Sequence, residues 1–197
     1  MKKVVGIFGS PRPDGNSDTV LNYALRGAAA SGASIEKIYV RDIKIAPCNS
    51  CGGCFEKGVC VIRDDMQKVY SELTNTDGIL VSSPLYFMGV TAQLKALIDR
   101  CQSFWAQKYI LRLPIRKEGK IAQGLFLATA ARSDEKDLFT GAVKTIKAFF
   151  HVVDTRYKGD LLCPGLEGKG EVNKKEALLQ QAYNAGRQLC TAGTDVL

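Results

Sequence analysis

Three short apolar runs, VVGIF (4–8), GILVSS (78–83) and IAQGLFLAT (121–129), recur along the chain, and each runs into a loop of small or turn-forming residues. None alternates apolar and polar residues, as a half-exposed strand would. Such runs suit strands buried on both faces, which is the situation inside a parallel sheet. Ser34–Val40 and Arg156–Leu162 read as second and fifth strands. Between the strands the period changes. Val20, Leu21, Ala24, Leu25 and Ala28 make one helical face. Leu94, Leu97, Ile98 and Cys101 make another within Thr91–Phe104, and a short helix is expected from about Asp65 to Leu73. Lys136–Phe150 carries Leu138, Phe139, Ala142, Val143, Ile146 and Phe150 inward. Asn173 and Glu176 have the spacing of a capping box at the start of the last helix. Strands alternating with helices predict an α/β doubly wound parallel sheet. Right-handed crossovers then gather the strand-to-helix loops on one edge, where ligands bind. No linker or repeat interrupts the 197 residues, and the expectation is one domain spanning 1–197.

The composition, 46% hydrophobic and 24% charged, is that of a soluble globular protein, and no apolar run is long enough to span a bilayer. The N-terminal MKKVVGIFGS is too short for a signal peptide's apolar region, so a cytoplasmic protein with reduced thiols is expected. The net charge of +7 is spread along the chain, with a mild concentration in KYILRLPIRKEGK (108–120). Without an aromatic-interleaved basic stripe it reads as solvated surface, and no nucleic-acid or membrane partner is expected.

Three loops at the expected binding edge carry chemistry. GSPRPDGNSDT (9–19) runs from the first strand into a helix N-terminus, so several backbone N–H groups converge with the helix dipole on one spot. Ser10, Asn16 and Ser17 add donors and Arg12 adds a charge. A phosphate is the expected anion. The Walker A pattern fails because Asn16 stands where its lysine would be. Pro84, Leu85, Tyr86, Phe87, Met88 and Gly89 form an apolar, aromatic loop that either binds something flat, forms an interface or folds its rings back on the core. Thr129, Ala130, Ala131 and Arg132 form a small-residue loop that lets a planar ring approach the backbone. Together these describe a site for a flat mononucleotide. The lone His151, at the end of a helix, reads as structural.

GSPRPDGNS and SSPLYFMGVTAQLKALIDR resemble the NADPH-dependent FMN reductase superfamily, and PCNSCGGCFEKGVCVIRDDMQ within it resembles the iron–sulfur flavoproteins. The resemblance runs from about residue 3 to about residue 190. It implies a flavodoxin-like sheet of order 2-1-3-4-5, with FMN phosphate on Ser10, Arg12, Asn16 and Ser17. The isoalloxazine ring would lie along Pro84–Gly89, closed on one side by Thr129–Arg132. It also implies a homodimer or homotetramer, for which the helix at 91–104 and a basic, aromatic, irregular insertion at about 105–118 are the candidate interface. The chemistry would be the flavin's own, with no catalytic side chain required.

Cys48, Cys51, Cys54 and Cys60 lie in a cysteine-rich loop at 47–63 and are spaced C-x2-C-x2-C-x5-C. The resemblance implies a 4Fe-4S cluster. Four thiolates are its usual ligand set, and Gly52 and Gly53 permit the turns the compact triplet needs. Two alternatives stand beside it: a zinc site, which a triplet within seven residues suits poorly, and a cluster-free or dithiol loop. Cys101, Cys163 and Cys190 read as buried small hydrophobes. The expected function is electron transfer between a low-potential donor (ferredoxin or NAD(P)H) and a small-molecule acceptor through FMN and the cluster. A cluster-free NAD(P)H-dependent FMN or quinone reductase and a non-enzymatic thiol redox sensor are the competing readings.

Overall fold

The computed structural model describes residues 1–133 and 135–191, the side chain of Glu118 apart. Five parallel strands, β1 (Lys3–Phe8), β2 (Ser34–Tyr39), β3 (Gly78–Pro84), β4 (Ala122–Thr129) and β5 (Thr155–Cys163), form one sheet in the order β2-β1-β3-β4-β5. The central strands β1, β3 and β4 are buried almost throughout, which is why their sequences are nearly continuous apolar runs. The edge strands β2 and β5 are half exposed and correspondingly mixed in composition.

Helices cover both faces. Val5, Ile7, Ile79, Val81 and Phe126 point to the face covered by α3 (Met66–Thr74), α4 (Ala92–Arg100) and α6 (Thr140–Val152), where they meet Val69, Leu94, Leu97, Ile146 and Phe150. Val4, Phe8, Leu80, Leu125 and Leu127 point to the other face, where they meet Leu21 and Leu25 of α1 (Asn16–Ala30) and Leu179 and Leu189 of α7 (Glu176–Thr191). Helices α1 and α7 touch backbone to backbone. A Cβ on Gly27 would fall 1.9 Å from the Tyr183 carbonyl oxygen, and one on Gly186 would fall 1.8 Å from that of Ala24. Among the described residues no helix is long and apolar enough to cross a membrane.

Three local expectations change. The capping box does not form, because a 3-10 turn over Glu171–Lys174 takes in Asn173 and α7 starts after it, at Glu176. The segment Lys136–Phe139 forms turns ahead of α6 instead of joining it. The insertion at 105–118 is largely helical at its start: α4 is followed by the short α5 (Gln102–Trp105) and a π turn over Ala106–Ile110. Its basic character is not all surface. Arg116 is buried and donates to the carbonyls of Val153 (3.0 Å) and Thr76 (2.7 Å), and burial pulls its pKa down to about 10. His151 pairs through Nε2 with the Tyr109 hydroxyl at 2.7 Å on the surface. Cys101, Cys163 and Cys190 are buried.

Candidate functional site

The three expected loops meet in one cleft at the carboxyl edge of the sheet. It is lined by Ser10, Arg12, Gly15, Asn16, Ser17, Pro84, Leu85, Tyr86, Thr129, Ala130 and Ala131, together with Leu166 and Glu167. Backbone bonds tie the loops to one another. Gly9 N–H donates to Ser82 O at 2.8 Å, Leu85 N–H to Thr129 O at 2.8 Å, and Leu166 N–H to Ala130 O at 2.8 Å. Gly9 leaves no room for a side chain, since a Cβ there would fall 2.4 Å from Ser82 O.

The N-terminus of α1 opens onto this cleft. Gly15 caps it without a side-chain hydrogen bond, so the first-turn N–H groups are left for a ligand. Ser10 Oγ stiffens the loop, accepting from Arg12 N–H at 3.1 Å and donating to Arg12 O at 3.0 Å. The exposed Arg12 and the buried Ser17 complete the polar end. Asn16 is placed there too, but its side chain is engaged elsewhere. Its Nδ2 donates to Gly168 O at 2.8 Å and to Leu166 O at 3.3 Å, and its Oδ1 accepts from Val172 N–H at 3.2 Å. It therefore clamps the loop after β5 onto α1 and offers the cleft its backbone N–H. Asp18, in the same helical turn, is a buried carboxyl that faces Arg41, whose Nη1 donates to it at 2.8 Å and to Ser10 O at 3.3 Å. Burial pushes the Asp18 carboxyl pKa up, and Arg41 opposes that rise.

Tyr86–Gly89 forms a two-residue hairpin, with Tyr86 and Gly89 exchanging backbone hydrogen bonds at 3.1 and 3.0 Å. Phe87 (φ 49°) and Met88 (φ 61°) are both left-handed, in positions that usually take Asn and Gly. Holding bulky side chains there stores strain, and Phe87 is fully exposed while Tyr86 is half exposed. These rings do not fold back onto the core. Phe87, Met88 and Arg132 line a shallow depression beside the cleft, which shares Leu85, Ala130 and Ala131 with it.

Thr91 joins the cleft to the helix behind it. It caps α4 by accepting from Leu94 N–H at 3.3 Å and donates its hydroxyl to Gly9 O at 2.5 Å. Thr91→Val removes both bonds and is expected to lower the unfolding free energy by about 2 kcal/mol. Urea denaturation checks this, and a wild-type midpoint with an unchanged slope would dismiss the clamp.

All four clustered cysteines are free, and they line a second cavity with Arg100, Gln102 and Ser103. Cys48 and Cys51 are exposed, while Cys54 and Cys60 are half-buried. Burial pushes the Cys54 thiol pKa up, and its neighbours Cys60, Cys48 and Cys51 push the same way. Gly52 is left-handed (φ 74°), whereas Gly53 caps the short helix α2 (Cys54–Lys57) in a helical conformation, where a Cβ would fall 2.7 Å from the Val61 side chain. Among the described residues no three Cys, His, Asp or Glu side chains are gathered around one point as a single metal ion requires. Zinc draws its sulfurs to about 2.3 Å of one centre. A cubane takes its ligands at separate corners, and four thiols around one cavity fit that donor set.

Several contributors lay outside the sequence reading: Leu166 and Glu167 in the cleft wall, the Asp18–Arg41 pair, and Asp64 with Arg100 under the cysteine loop. Arg100 had a legible signal, since it stands three residues after Leu97 on the buried stripe of α4, where an unpaired charge is not tolerated.

Comparison with known proteins follows the same lines. An iron–sulfur flavoprotein of Methanocaldococcus jannaschii is 45% identical over 98 residues, 50% of this chain and 51% of that one. A second from the same organism is 37% identical over 150 residues, 75% of this chain and 70% of that one. The chain spans about half the length of several curated relatives it matches. An NAD(P)H:quinone oxidoreductase from Methanothermobacter marburgensis shares the fold, with a TM-score of 0.73 at 18% identity over 95% of this chain and 96% of that one. Residues 2–134 match the family described as NADPH-dependent FMN reductase, and the chain belongs to that family.

Proposed function

We propose that the protein is an FMN-dependent oxidoreductase of the iron–sulfur flavoprotein type, in which Cys48, Cys51, Cys54 and Cys60 hold a 4Fe-4S cluster. The observation that carries this reading is the gathering of these four free thiols around one cavity, in relatives' company that bears the same name. When bound, FMN supplies hydride chemistry and a cluster supplies one-electron transfer, which together couple a two-electron donor to a one-electron partner. The chain's own part is to bind and orient. The α1 N-terminus, Ser10, Arg12 and Ser17 receive the phosphate, the Asn16 backbone N–H adds a donor, and Ala130 and Ala131 leave room for the ring between Pro84–Gly89 and Arg132. NAD(P)H or a ferredoxin is the donor, the latter docking on a surface whose net charge is +7. A small molecule accepts the electrons.

A second copy of the chain completes the site in this reading. Tyr86, Phe87 and Met88 beside the cleft, and Trp105, Ile110 and Leu113 along the insertion, are exposed apolar side chains that a homodimer or homotetramer would cover.

The test is the iron, acid-labile sulfide and FMN content of protein purified without oxygen. About four irons and four sulfides with one FMN per chain are expected. Cys51→Ser is expected to lose the iron and keep the FMN. FMN without iron would favour the second reading, a cluster-free NAD(P)H-dependent FMN or quinone reductase. That reading draws its support from the match of residues 2–134 to the family described as NADPH-dependent FMN reductase. Rapid bleaching by NADPH alone would strengthen it.

A further inference from the structure

One buried cation holds the cysteine loop from beneath. Arg100, the last residue of α4, is 1% exposed. Its Nη1 donates to Ala46 O at 2.8 Å and Asp64 Oδ2 at 2.6 Å, and its Nη2 donates to Ile62 O at 3.2 Å and Asp64 Oδ1 at 3.1 Å. Ala46 precedes Cys48 by two residues and Ile62 follows Cys60 by two, so the guanidinium fork clasps both ends of the loop. Asp64 serves the same clasp, accepting from the backbone N–H groups of Ala46 (3.0 Å) and Met66 (3.0 Å).

The fork accounts for the η nitrogens and leaves one donor over. Nε–H is buried without a hydrogen-bond partner, a costly state for a charged group. Arg100 lines the cavity of the four cysteines, Cys60 among them. The two carbonyl bonds alone do not require a permanent buried charge, and Asp64 balances the one that is there. A centre held by four thiolates is an anion that becomes more negative on reduction. A fixed cation at its wall favours the reduced form, as does a hydrogen bond to a ligating sulfur.

We propose that Arg100 sets the reduction potential of the centre held by Cys48, Cys51, Cys54 and Cys60, raising it through its buried charge and its spare Nε–H at the wall of their cavity. Arg100 is thus both a positioning residue for the loop and the local control on its electron affinity. Asp64 is the counterweight that keeps the effect partial. This inference rests on the cluster reading above.

The test uses the full chain, reconstituted anaerobically with ferrous iron and sulfide, and reads the cluster midpoint potential by EPR-monitored titration. Arg100→Gln is expected to lower the reduced-to-oxidised ratio at a fixed potential at least tenfold, a downward shift of about 59 mV for a one-electron couple. Arg100→Lys keeps the charge and is expected to stay near wild type. Asp64→Asn leaves the cation uncompensated and is expected to shift the potential upward. An unmoved Arg100→Gln potential overturns the proposal, and so does an equal fall in Arg100→Lys. If Arg100→Gln takes up no iron, Asp64→Asn decides: an upward shift supports the proposal, and no shift or a downward one overturns it. Wild-type protein that takes up no iron overturns the cluster reading itself, a result distinct from a loaded wild type with unmoved variants.

Discussion

Gly186→Ala is expected to lower the unfolding free energy by about 3 kcal/mol or more, enough to leave much of the chain insoluble on expression. The added methyl would sit 1.8 Å from the Ala24 carbonyl oxygen, 2.6 Å from its carbon and 3.0 Å from its Cα. These are backbone atoms inside a helix, so no rotamer change relieves the overlap. Helices α1 and α7 must move apart, and Leu21, Leu25, Leu179 and Leu189 lose packing together. Gln188→Ala, on the exposed side of the same helix, is expected to change stability by no more than about 0.5 kcal/mol. Urea denaturation of both variants checks the pair. A Gly186→Ala midpoint equal to that of wild type would mean that the two backbones are not in contact.

Gly9→Ala is expected to have the largest effect on the cleft. Its methyl would meet Ser82 O at 2.4 Å and Leu94 Cδ2 at 2.7 Å, in the gap between β1 and β3. Relief requires the loop after β1 to lift, breaking the Gly9 N–H to Ser82 O bond and the Thr91 hydroxyl to Gly9 O bond. Under the proposed function the α1 N-terminus then no longer faces the phosphate, and FMN affinity should fall by about a hundredfold, near 3 kcal/mol. Fluorescence titration of the apoprotein with FMN reads this directly. Wild-type affinity in a folded Gly9→Ala protein would remove the loop from the binding role.

The sheet was legible because β1, β3 and β4 lie between covered faces, so burial alone dictates their composition. The loop after β1 was legible for a related reason: tight turns entering a helix leave glycine and small polar residues in the sequence. Local sequence carries no record of distant capture. Asn16 looks like a free donor until Leu166, Gly168 and Val172, some 150 positions away, engage its side chain. The Asn173 capping box failed because the pattern is short, and a 3-10 turn used the same residues. In the cysteine loop the spacing announced the thiols. The cation beneath them comes from another helix, and only the crossover brings it there. Phe87 and Met88 were expected to be either exposed or folded inward, and their left-handed backbone holds them outward.

Thr91 and Arg100 stand at opposite ends of α4, one fastened to the loop of the cleft and the other to the loop of the cysteines. Nine helical residues at about 1.5 Å each make a strut of about 13 Å. A helix of this kind is stiff along its axis, and both loops are fastened to its ends. Under the proposed function this strut would fix the spacing between the loop that would receive the flavin phosphate and the loop that would hold the cluster. A proline within α4 would disturb that spacing without replacing a residue of either loop.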